Sequence, residues 1–297
     1  MMTKILKEAH ISYIKWDMNR YMSEPFSSRL PADQQGEFMH RYILGLYRLY
    51  DRLTREFPEI LFESCASGGA RFDPGMLYYA PQTWTSDDTD AGERQKIQYG
   101  TSYLYPLVSM GSHVSAVPNH QLYRVTPLQT RANVAYFGTF GYELDLNLLS
   151  GEEFEEVRRQ ICFMKEHRQL LQMDGELFRI QSPFEGNAAS WIVVAPDQSE
   201  AIAFYGQRLG PVNASYLRLR LKGLDPDRNY RVAWDTSPAP GFPVEMLKIY
   251  GYSVTEGGAV YEAYGDELMK AGIPIDRLQL FMKGGDFASL LFVVKSC

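Results

Sequence analysis

Residues 82–90 read Gln82-Thr83-Trp84-Thr85-Ser86-Asp87-Asp88-Thr89-Asp90. A short run typical of a β-strand passes into an acidic turn, and Asp90 with Glu93 three residues later matches the capping box that begins a helix. The same succession of strand and helix extends to about residue 172. The strand candidates are 11–17, 59–64, 82–86, 113–117 and 140–146, and the helix candidates are 34–56, 90–104, 126–137 and 151–172. This alternation predicts an α/β fold with a parallel sheet or barrel and crossover helices.

The sequence pattern changes after residue 172. Apolar runs become short, and in residues 216–221 leucine alternates with arginine, as in a strand with one buried face. Turn signals separate these runs, most clearly Leu224-Asp225-Pro226-Asp227 and Pro238-Ala239-Pro240-Gly241. We therefore expect two domains, an α/β domain at 1–172 and an antiparallel β domain at 173–297.

Composition and charge exclude several classes of protein. The 297 residues are 45% hydrophobic and 22% charged, as in a globular protein, and the net charge of −6 argues against a nucleic-acid partner. No stretch has the length of a membrane span, and the first residues lack the apolar core of a signal peptide. Three cysteines without metal-ligand spacing fit a reducing compartment, so we expect a cytoplasmic location. The five histidines form no metal-binding motif, and we expect no metal or other cofactor.

Asp17 stands at the end of a strand candidate that reads Ile11-Ser12-Tyr13-Ile14-Lys15-Trp16-Asp17. Alternate side chains of a strand share a face, so Tyr13, Lys15, Asp17 and Asn19 would point one way and Ile14 and Trp16 the other. In a barrel the first set would face the interior and its C-terminal mouth. There the Lys15 ammonium would keep the Asp17 carboxylate ionised, as a nucleophile requires. A surface Lys–Asp pair is the alternative.

Asp87 stands at the end of the strand candidate 82–86. By the same alternation it would share a face with Thr83 and Thr85, which favours Asp87 over Asp88, whereas Asp90 is placed for helix capping. Two carboxylates on either side of a glycosidic bond are the minimum equipment for its hydrolysis. The pair therefore indicates a glycosidase.

A third segment, residues 63–73, follows another strand candidate. The adjacent Gly68 and Gly69 allow close approach of the backbone to a ligand, or simply a tight turn. Cys65 has no basic residue immediately beside it, so a buried inert thiol is its expected state. No Lys-Ser/Thr pair follows the glycines, which excludes a phosphate-binding loop.

Five segments of the chain together resemble the α-galactosidases of glycoside hydrolase family 36. They are Lys15-Trp16-Asp17-Met18-Asn19-Arg20, residues 63–73, residues 82–90, Pro118-Asn119-His120-Gln121 and Phe140-Gly141-Tyr142-Glu143-Leu144-Asp145. The resemblance covers roughly residues 1–172, and the β domain behind them also fits.

The resemblance implies a retaining mechanism on a TIM barrel. Asp17 would be the nucleophile and Asp87 the acid and then the base, with their carboxyl groups about 5–5.5 Å apart. Lys15, Asn19, Cys65 and Gly68 match positions expected to contact the galactosyl group. The implied substrates are terminal α-D-galactosides of the melibiose or raffinose type.

The chain departs from the family pattern at its start. Family members carry a β-sandwich domain and three barrel strands ahead of the nucleophile strand, so the five strand candidates here correspond to the fourth to eighth of eight. We therefore expect a partial TIM barrel followed by an antiparallel β-sandwich, as the C-terminal portion of a longer enzyme. Such a chain would need a complementing N-terminal segment or would self-associate as a homo-oligomer.

Three other functions remain open from the sequence. A galactosyltransferase or transglycosylase would use the same two aspartates with a sugar hydroxyl in place of water. A non-catalytic fragment would retain both aspartates after a recent truncation. A sugar-binding module at 173–297 has little support.

Overall fold

The computed structural model describes residues 2–19, 22–210, 216–234, 246–249, 251–255, 258–275 and 285–297. The chain divides into two compact units. Unit 1 comprises Met1–Asp87 with Ser109–Gly111, and unit 2 comprises Asp88–Val108 with Ser112–Cys297. These units do not follow the domain boundary expected after residue 172, which stays a prediction.

A five-stranded sheet carries the N-terminal half of the chain. Its strands are hydrogen-bonded in chain order, and the pairs β1–β2, β2–β3 and β3–β4 are parallel. This half-barrel confirms the predicted partial TIM barrel. The strands are β1 Tyr13–Asp17, β2 Leu61–Cys65, β3 Gln82–Trp84, β4 Met110–Ser115 and β5 Thr139–Glu143.

Every strand differs from the sequence prediction by one to three residues at one or both ends, and two of these differences bear on the site. β3 ends at Trp84, so the acidic residues lie beyond its last hydrogen-bonded pair. β4 begins at Met110 rather than at residue 113, because Gly111 hides the strand pattern although it pairs with Trp84. A Cβ at Gly111 would lie 3.1 Å from Trp84 Cε3, so glycine leaves room for the indole.

The helices follow the strands as predicted, with two additions, α1 at Met2–Glu8 and α3 at Pro74–Tyr79. The predicted helix 34–56 begins as a 3₁₀ helix over Ala32–Glu37 and continues as α2. The short α3 was not predicted, although its signals are ordinary ones: Asp73 caps it by accepting from Met76 N, and Pro74 is its first residue. The helices are α1 Met2–Glu8, α2 Phe38–Glu56, α3 Pro74–Tyr79, α4 Ala91–Thr101, α5 Leu128–Ala135 and α6 Gly151–Arg168, which continues as a π-helix over Gln169–Asp174.

The core of unit 1 lies on one side of β1 and β2. Ile14 and Trp16 of β1 pack against buried side chains of α1, α2, α3 and β2, among which Tyr50 and Phe62 are fully buried. Trp16 lies 4.9 Å from the Tyr50 ring, measured between centroids. The predicted alternation along β1 is therefore correct, and Lys15 and Asp17 belong to the opposite, non-core face.

An antiparallel sheet forms most of the remainder of unit 2, as predicted. Seven strands are hydrogen-bonded in the order β11-β12-β10-β14-β8-β7-β6, and β9 pairs with β13 in a second, smaller sheet. The strands are β6 Glu176–Gln181, β7 Ala188–Val194, β8 Glu200–Gln207, β9 Arg218–Leu219, β10 Asn229–Trp234, β11 Ser253–Thr255, β12 Gly258–Tyr264, β13 Ile273–Pro274 and β14 Ala288–Ser296. The helices of this region are α7 Met246–Ile249 and α8 Gly265–Lys270.

The core of this β region also contains side chains from outside the seven-stranded sheet. Leu219, Leu221 and Leu268 pack in the same core as the buried side chains of the seven-stranded sheet. The alternating run 216–221 thus supplies core leucines although only Arg218–Leu219 form a strand. The turn predicted at 238–241 lies outside the described residues. None of the described helices is both long and apolar enough to cross a bilayer.

Phe292→Ala tests the central strand of the antiparallel sheet. Phe292 is fully buried on β14, between Ala203 of β8 and Trp234 of β10. The cavity left by the ring should lower the free energy of unfolding by about 3–5 kcal/mol, measured in urea. Tyr216→Ala, at an 89% exposed position, is the control and should change it little. A Phe292→Ala loss as small as the control would show that β14 is not central to the core.

Candidate active site

The ends of β1 and β2 bring Asp17 and Cys65 together. The two residues are partners in the parallel register, and the Cys65 thiol donates a hydrogen bond to the Asp17 carboxylate. Cys65 is buried, whereas Asp17 is exposed on the non-core face. Burial, followed by the contact with Asp17, raises the pKa of Cys65 to about 11. The thiol is therefore protonated at neutral pH, as the sequence predicted for an inert cysteine.

The Asn19 amide joins Asp17 to the loop after β2. Its Nδ2 donates to Asp17 Oδ2 at 2.5 Å, and its Oδ1 accepts from Ser67 N at 2.7 Å and from Ser67 Oγ at 3.3 Å. The three contacts fix which way the amide group points. Asn19 therefore lies beside Asp17, as expected, and its contact with a sugar stays a prediction. Arg20, the last residue of the first matching segment, lies outside the described residues.

Gly68 brings this loop against the turn that carries Asp87. Its φ of +79° lies in the left-handed region, and a Cβ there would lie 2.6 Å from Ser86 Cα and 3.1 Å from Asp87 N. Only glycine allows that approach without displacement of the backbone. The preceding Ser67 also has a positive φ, of 51°, which is uncommon for a residue with a side chain. At the two glycines the structure thus shows close approach of two backbone segments, and approach to a ligand stays a prediction.

Asp87 lies in a bend beyond the end of β3, with its side chain exposed. The argument from alternation that placed Thr83, Thr85 and Asp87 on one face does not apply, because the strand ends at Trp84. Thr83 is buried and bonded to Ser64, 3.1 Å between the hydroxyl oxygens. The residue of β3 that reaches the Lys15 side is Trp84.

Lys15 extends over the Trp84 indole. Its Nζ lies 4.9 Å from the ring centroid, and the ion pairs of the described residues do not include it. The side chain is exposed on the same face of β1 as Asp17. The predicted face of Lys15 is therefore correct, whereas its effect on the Asp17 carboxylate stays a prediction.

A polar network that the sequence did not predict lies two register positions from Asp17. Glu63 pairs with Lys15 in the register, and its Oε2 accepts from Tyr13 Oη and from Gln82 Nε2, the latter at 3.2 Å. Glu63 is 3% exposed, and its other oxygen has no partner among the described atoms. Burial, then the bond to Glu63, raises the pKa of Tyr13 well above its usual range. A carboxylate within the apolar run 59–64 was the available signal.

Asp90 has the structural role that the sequence predicted. It is the N-cap of α4, and its Oδ2 accepts from Glu93 N at 3.0 Å. The Asp88 carboxylate in turn accepts from Asp90 N at 3.0 Å. Among the described residues no group of three or more His, Cys, Asp or Glu could hold a metal ion.

Parallel strands with carboxylates at their C-terminal ends, on a half-barrel, are the architecture of a (β/α)-barrel enzyme such as a glycoside hydrolase. The chain belongs to the melibiase family: the Melibiase profile matches residues 1–174, and the profile of the glycosyl hydrolase family 36 C-terminal domain matches residues 188–294. The resemblance noted from the five segments is confirmed.

Named relatives agree with this assignment. Alpha-galactosidase AgaA of Geobacillus stearothermophilus is 48% identical over 294 residues, which are 99% of this chain and 36% of AgaA. A crystal structure of an AgaA variant in complex with raffinose has a TM-score of 0.86 at 47% identity and covers 100% of this chain and 37% of that one. The alpha-galactosidase of Lactobacillus brevis has a TM-score of 0.87 at 49% identity, with the same coverage. The chain thus spans about a third of the length of these relatives.

Gly68→Ala tests the close packing of the two loops. The added Cβ would overlap the backbone of Ser86 at a left-handed position, so residues 66–69 must move away from Asp87. We expect a loss of thermal stability and of protection from hydrogen exchange at residues 66–69 and 85–87. Gly45→Ala is the matched control, because a Cβ there meets nothing within 4 Å in the interior of α2. It should stabilise the chain by about 0.5–1 kcal/mol. Equal behaviour of the two variants would contradict the packing described.

The Cys65 thiol should resist alkylation in the folded chain. At pH 8, with its pKa raised to about 11 from 9.0, Cys65 forms about a hundredfold less thiolate than an ordinary cysteine. Iodoacetamide labelling followed by peptide mass spectrometry should therefore modify the exposed Cys162 and Cys297 first. Denaturation in urea should abolish the difference. Labelling of Cys65 as fast as the other two in the native chain would show that it is neither buried nor bonded to Asp17.

Proposed function

We propose that this chain supplies the catalytic aspartates of a retaining α-galactosidase that hydrolyses terminal α-D-galactosides. The observation that carries the proposal is the continuous set of contacts from Asp17 through Asn19 and Ser67 to Gly68 and the backbone of Asp87. It links the residue at the C-terminal end of β1 with the turn beyond β3, and β2 lies between these two strands. Barrel enzymes perform their chemistry at these strand ends.

The mechanism has two displacement steps. In the first, an Asp17 oxygen attacks the anomeric carbon of the galactosyl group while the Asp87 carboxyl donates its proton to the leaving glycosidic oxygen. A galactosyl ester on Asp17 forms and the glycosidic bond breaks. In the second, the Asp87 carboxylate takes a proton from water, which attacks the same carbon and releases galactose with its original configuration. A sugar hydroxyl in place of water would give transfer instead of hydrolysis.

The side chains around Asp17 would bind the galactosyl group. The Lys15 ammonium and the second N–H of the Asn19 amide can donate to sugar hydroxyls, and the Cys65 sulfur forms part of the floor. Gly68 would contribute its backbone, which has no side chain to exclude the sugar. Each of these contacts is part of the proposal.

Two variants of AgaA support the choice of aspartates and substrate. One was solved with raffinose and the other with stachyose, and each carries a substitution of a different aspartate. Those two aspartates are seventy positions apart in AgaA, and Asp17 and Asp87 are also seventy positions apart. The spacing supports the pair proposed here, and the two sugars support α-galactosides of the raffinose series as substrates.

A complementing N-terminal segment is the partner that we propose for this chain. Tyr13 and Leu61, partners in the register of β1 and β2, are 45% and 58% exposed. Tyr13 lies on the face of Asp17, so an apolar surface continues the face that carries the candidate nucleophile. Polypeptide equivalent to the part of its relatives that this chain does not match would cover it. Self-association as a homo-oligomer is the competing outcome.

The proposed location is the cytoplasm. Cys65, Cys162 and Cys297 are all free thiols, which supports a reducing compartment.

Hydrolysis of an aryl α-galactoside tests the function. The 297-residue chain is assayed alone and with a separately expressed segment equivalent to the N-terminal part of AgaA. We expect activity at least in the mixture, abolished by Asp17→Ala and lowered about 10²–10⁴-fold by Asp87→Asn. Asp33→Asn, at an exposed position in the 3₁₀ helix, is the control and should remain active.

Product analysis completes the test. Proton NMR of the first product should show α-galactose, and an added acceptor sugar measures the share of transfer. A folded, associated mixture without activity would overturn the proposal and favour a non-catalytic fragment. First release of β-galactose would overturn the retaining mechanism alone.

A further inference from the structure

Lys15 is a charged side chain of the site whose contact with an aromatic ring the sequence did not predict. Its side chain is exposed, and it has four rotatable bonds whose freedom favours many conformations over one. Nevertheless Nζ lies 4.9 Å from the centroid of the Trp84 ring, within the range of a cation–π interaction. An aromatic face therefore selects one direction for this ammonium.

The Trp84 ring is itself held in place. It is 4% exposed on β3, and its register partner Gly111 leaves it room, because a Cβ there would lie 3.1 Å from Trp84 Cε3 and 3.2 Å from Thr83 O. A buried ring that fills a space left by a glycine cannot turn freely. In the contact between Lys15 and Trp84, the Trp84 ring is thus the partner with a fixed orientation.

One oxygen of each carboxylate near Lys15 accepts from other donors, and the ion pairs of the described residues do not join Lys15 to either carboxylate, although Glu63 Oε1 has no partner among the described atoms. Asp17 Oδ2 accepts from Asn19, and Glu63 Oε2 accepts from Tyr13 and Gln82. A salt bridge to either carboxylate would use one or more of the three N–H donors of Lys15. The face of an aromatic ring attracts the positive charge through its quadrupole and does not require an N–H donor. The ammonium can therefore be positioned with its donors still available.

We propose that Trp84 is a positioning residue for Lys15: the indole face holds the ammonium on the Asp17 side of β1 while its N–H donors remain available to galactosyl hydroxyls. This inference rests on the proposed function for its ligand, but not for the contact itself. It assigns to residues 82–90, which also carry the proposed acid Asp87, a second role that acts through Lys15.

Two measurements on the full 297-residue chain test the positioning. In the first, lysine labelled with ¹³C at Cε is observed by NMR, and Lys15→Met identifies the Lys15 resonance. A ring current should move the Lys15 Hε resonance upfield in the wild type. The shift should be smaller in Trp84→Phe and absent in Trp84→Leu. Trp16→Phe is the matched control, since this tryptophan lies on the core face of β1, and the Lys15 resonance should not change there.

In the second, D-galactose is titrated into the same variants. Trp84→Leu should weaken galactose binding on the order of fivefold, the effect of one cation–π contact, and Trp84→Phe should weaken it less. The double variant Lys15→Met/Trp84→Leu should bind no more weakly than Lys15→Met alone, because the ring acts only through the ammonium.

The proposal is overturned if the Lys15 Hε resonance of the wild type shows no upfield shift. It is also overturned if the upfield shift persists in Trp84→Leu. The proposal is likewise overturned if the galactose affinity of Lys15→Met/Trp84→Leu falls by the product of the losses in the two single variants. Absence of galactose binding in every variant would instead refute the proposed function of this chain, and the ring-current shift would still decide whether Trp84 holds Lys15.

Discussion

The hydrogen bonds of the Asn19 amide are the interaction on which the candidate site depends. An amide group has one acceptor end and one donor end. Here Asn19 Oδ1 accepts a hydrogen bond from Ser67 N, and Asn19 Nδ2 donates one to Asp17 Oδ2. Reversal of the amide would break both contacts at once and place two oxygens against each other at Asp17. The left-handed conformation of Ser67 and Gly68 presents the Ser67 N–H to Asn19 and the Gly68 backbone to the Asp87 turn. Strain at such positions, of order 1–3 kcal/mol for a residue with a side chain, persists where surrounding contacts require it.

Much of the fold follows from periodicity. The five strands and the helices between them were predicted because strand and helix periods alternate, and the alternation along β1 correctly separated Trp16 from Asp17. The prediction weakened where a glycine or an early strand end hid the pattern. Gly111 concealed the start of β4, and the end of β3 at Trp84 removed the basis for assigning Asp87 a face.

The site could be predicted as a set of residues but not as a set of contacts. Asp17, Lys15 and Asn19 were recognised because they are close in sequence, on β1 or just beyond its end. Glu63 and Trp84 were missed, because their part in the site depends on the parallel register that aligns Lys15 with Glu63 and on the pairing of Trp84 with Gly111. Register between parallel strands is set by packing across long crossovers, which a single sequence does not encode locally.

The use of an aromatic face beside Lys15 has a physical reason in the chemistry proposed. A carboxylate 4 Å from the ammonium would attract it with about 4 kcal/mol at an effective dielectric constant of 20, and would fill at least one N–H donor. A ring face contributes about 0.5–2 kcal/mol and leaves the donors unfilled. The weaker contact suits an ammonium group that must donate its N–H groups to a sugar hydroxyl and keep its charge near Asp17. The Trp84 side chain provides that face, and because it is uncharged its burial leaves no charge without a partner. Glu63 shows the contrast: it is buried in register with Lys15, yet its bonds go to the neutral donors Tyr13 and Gln82.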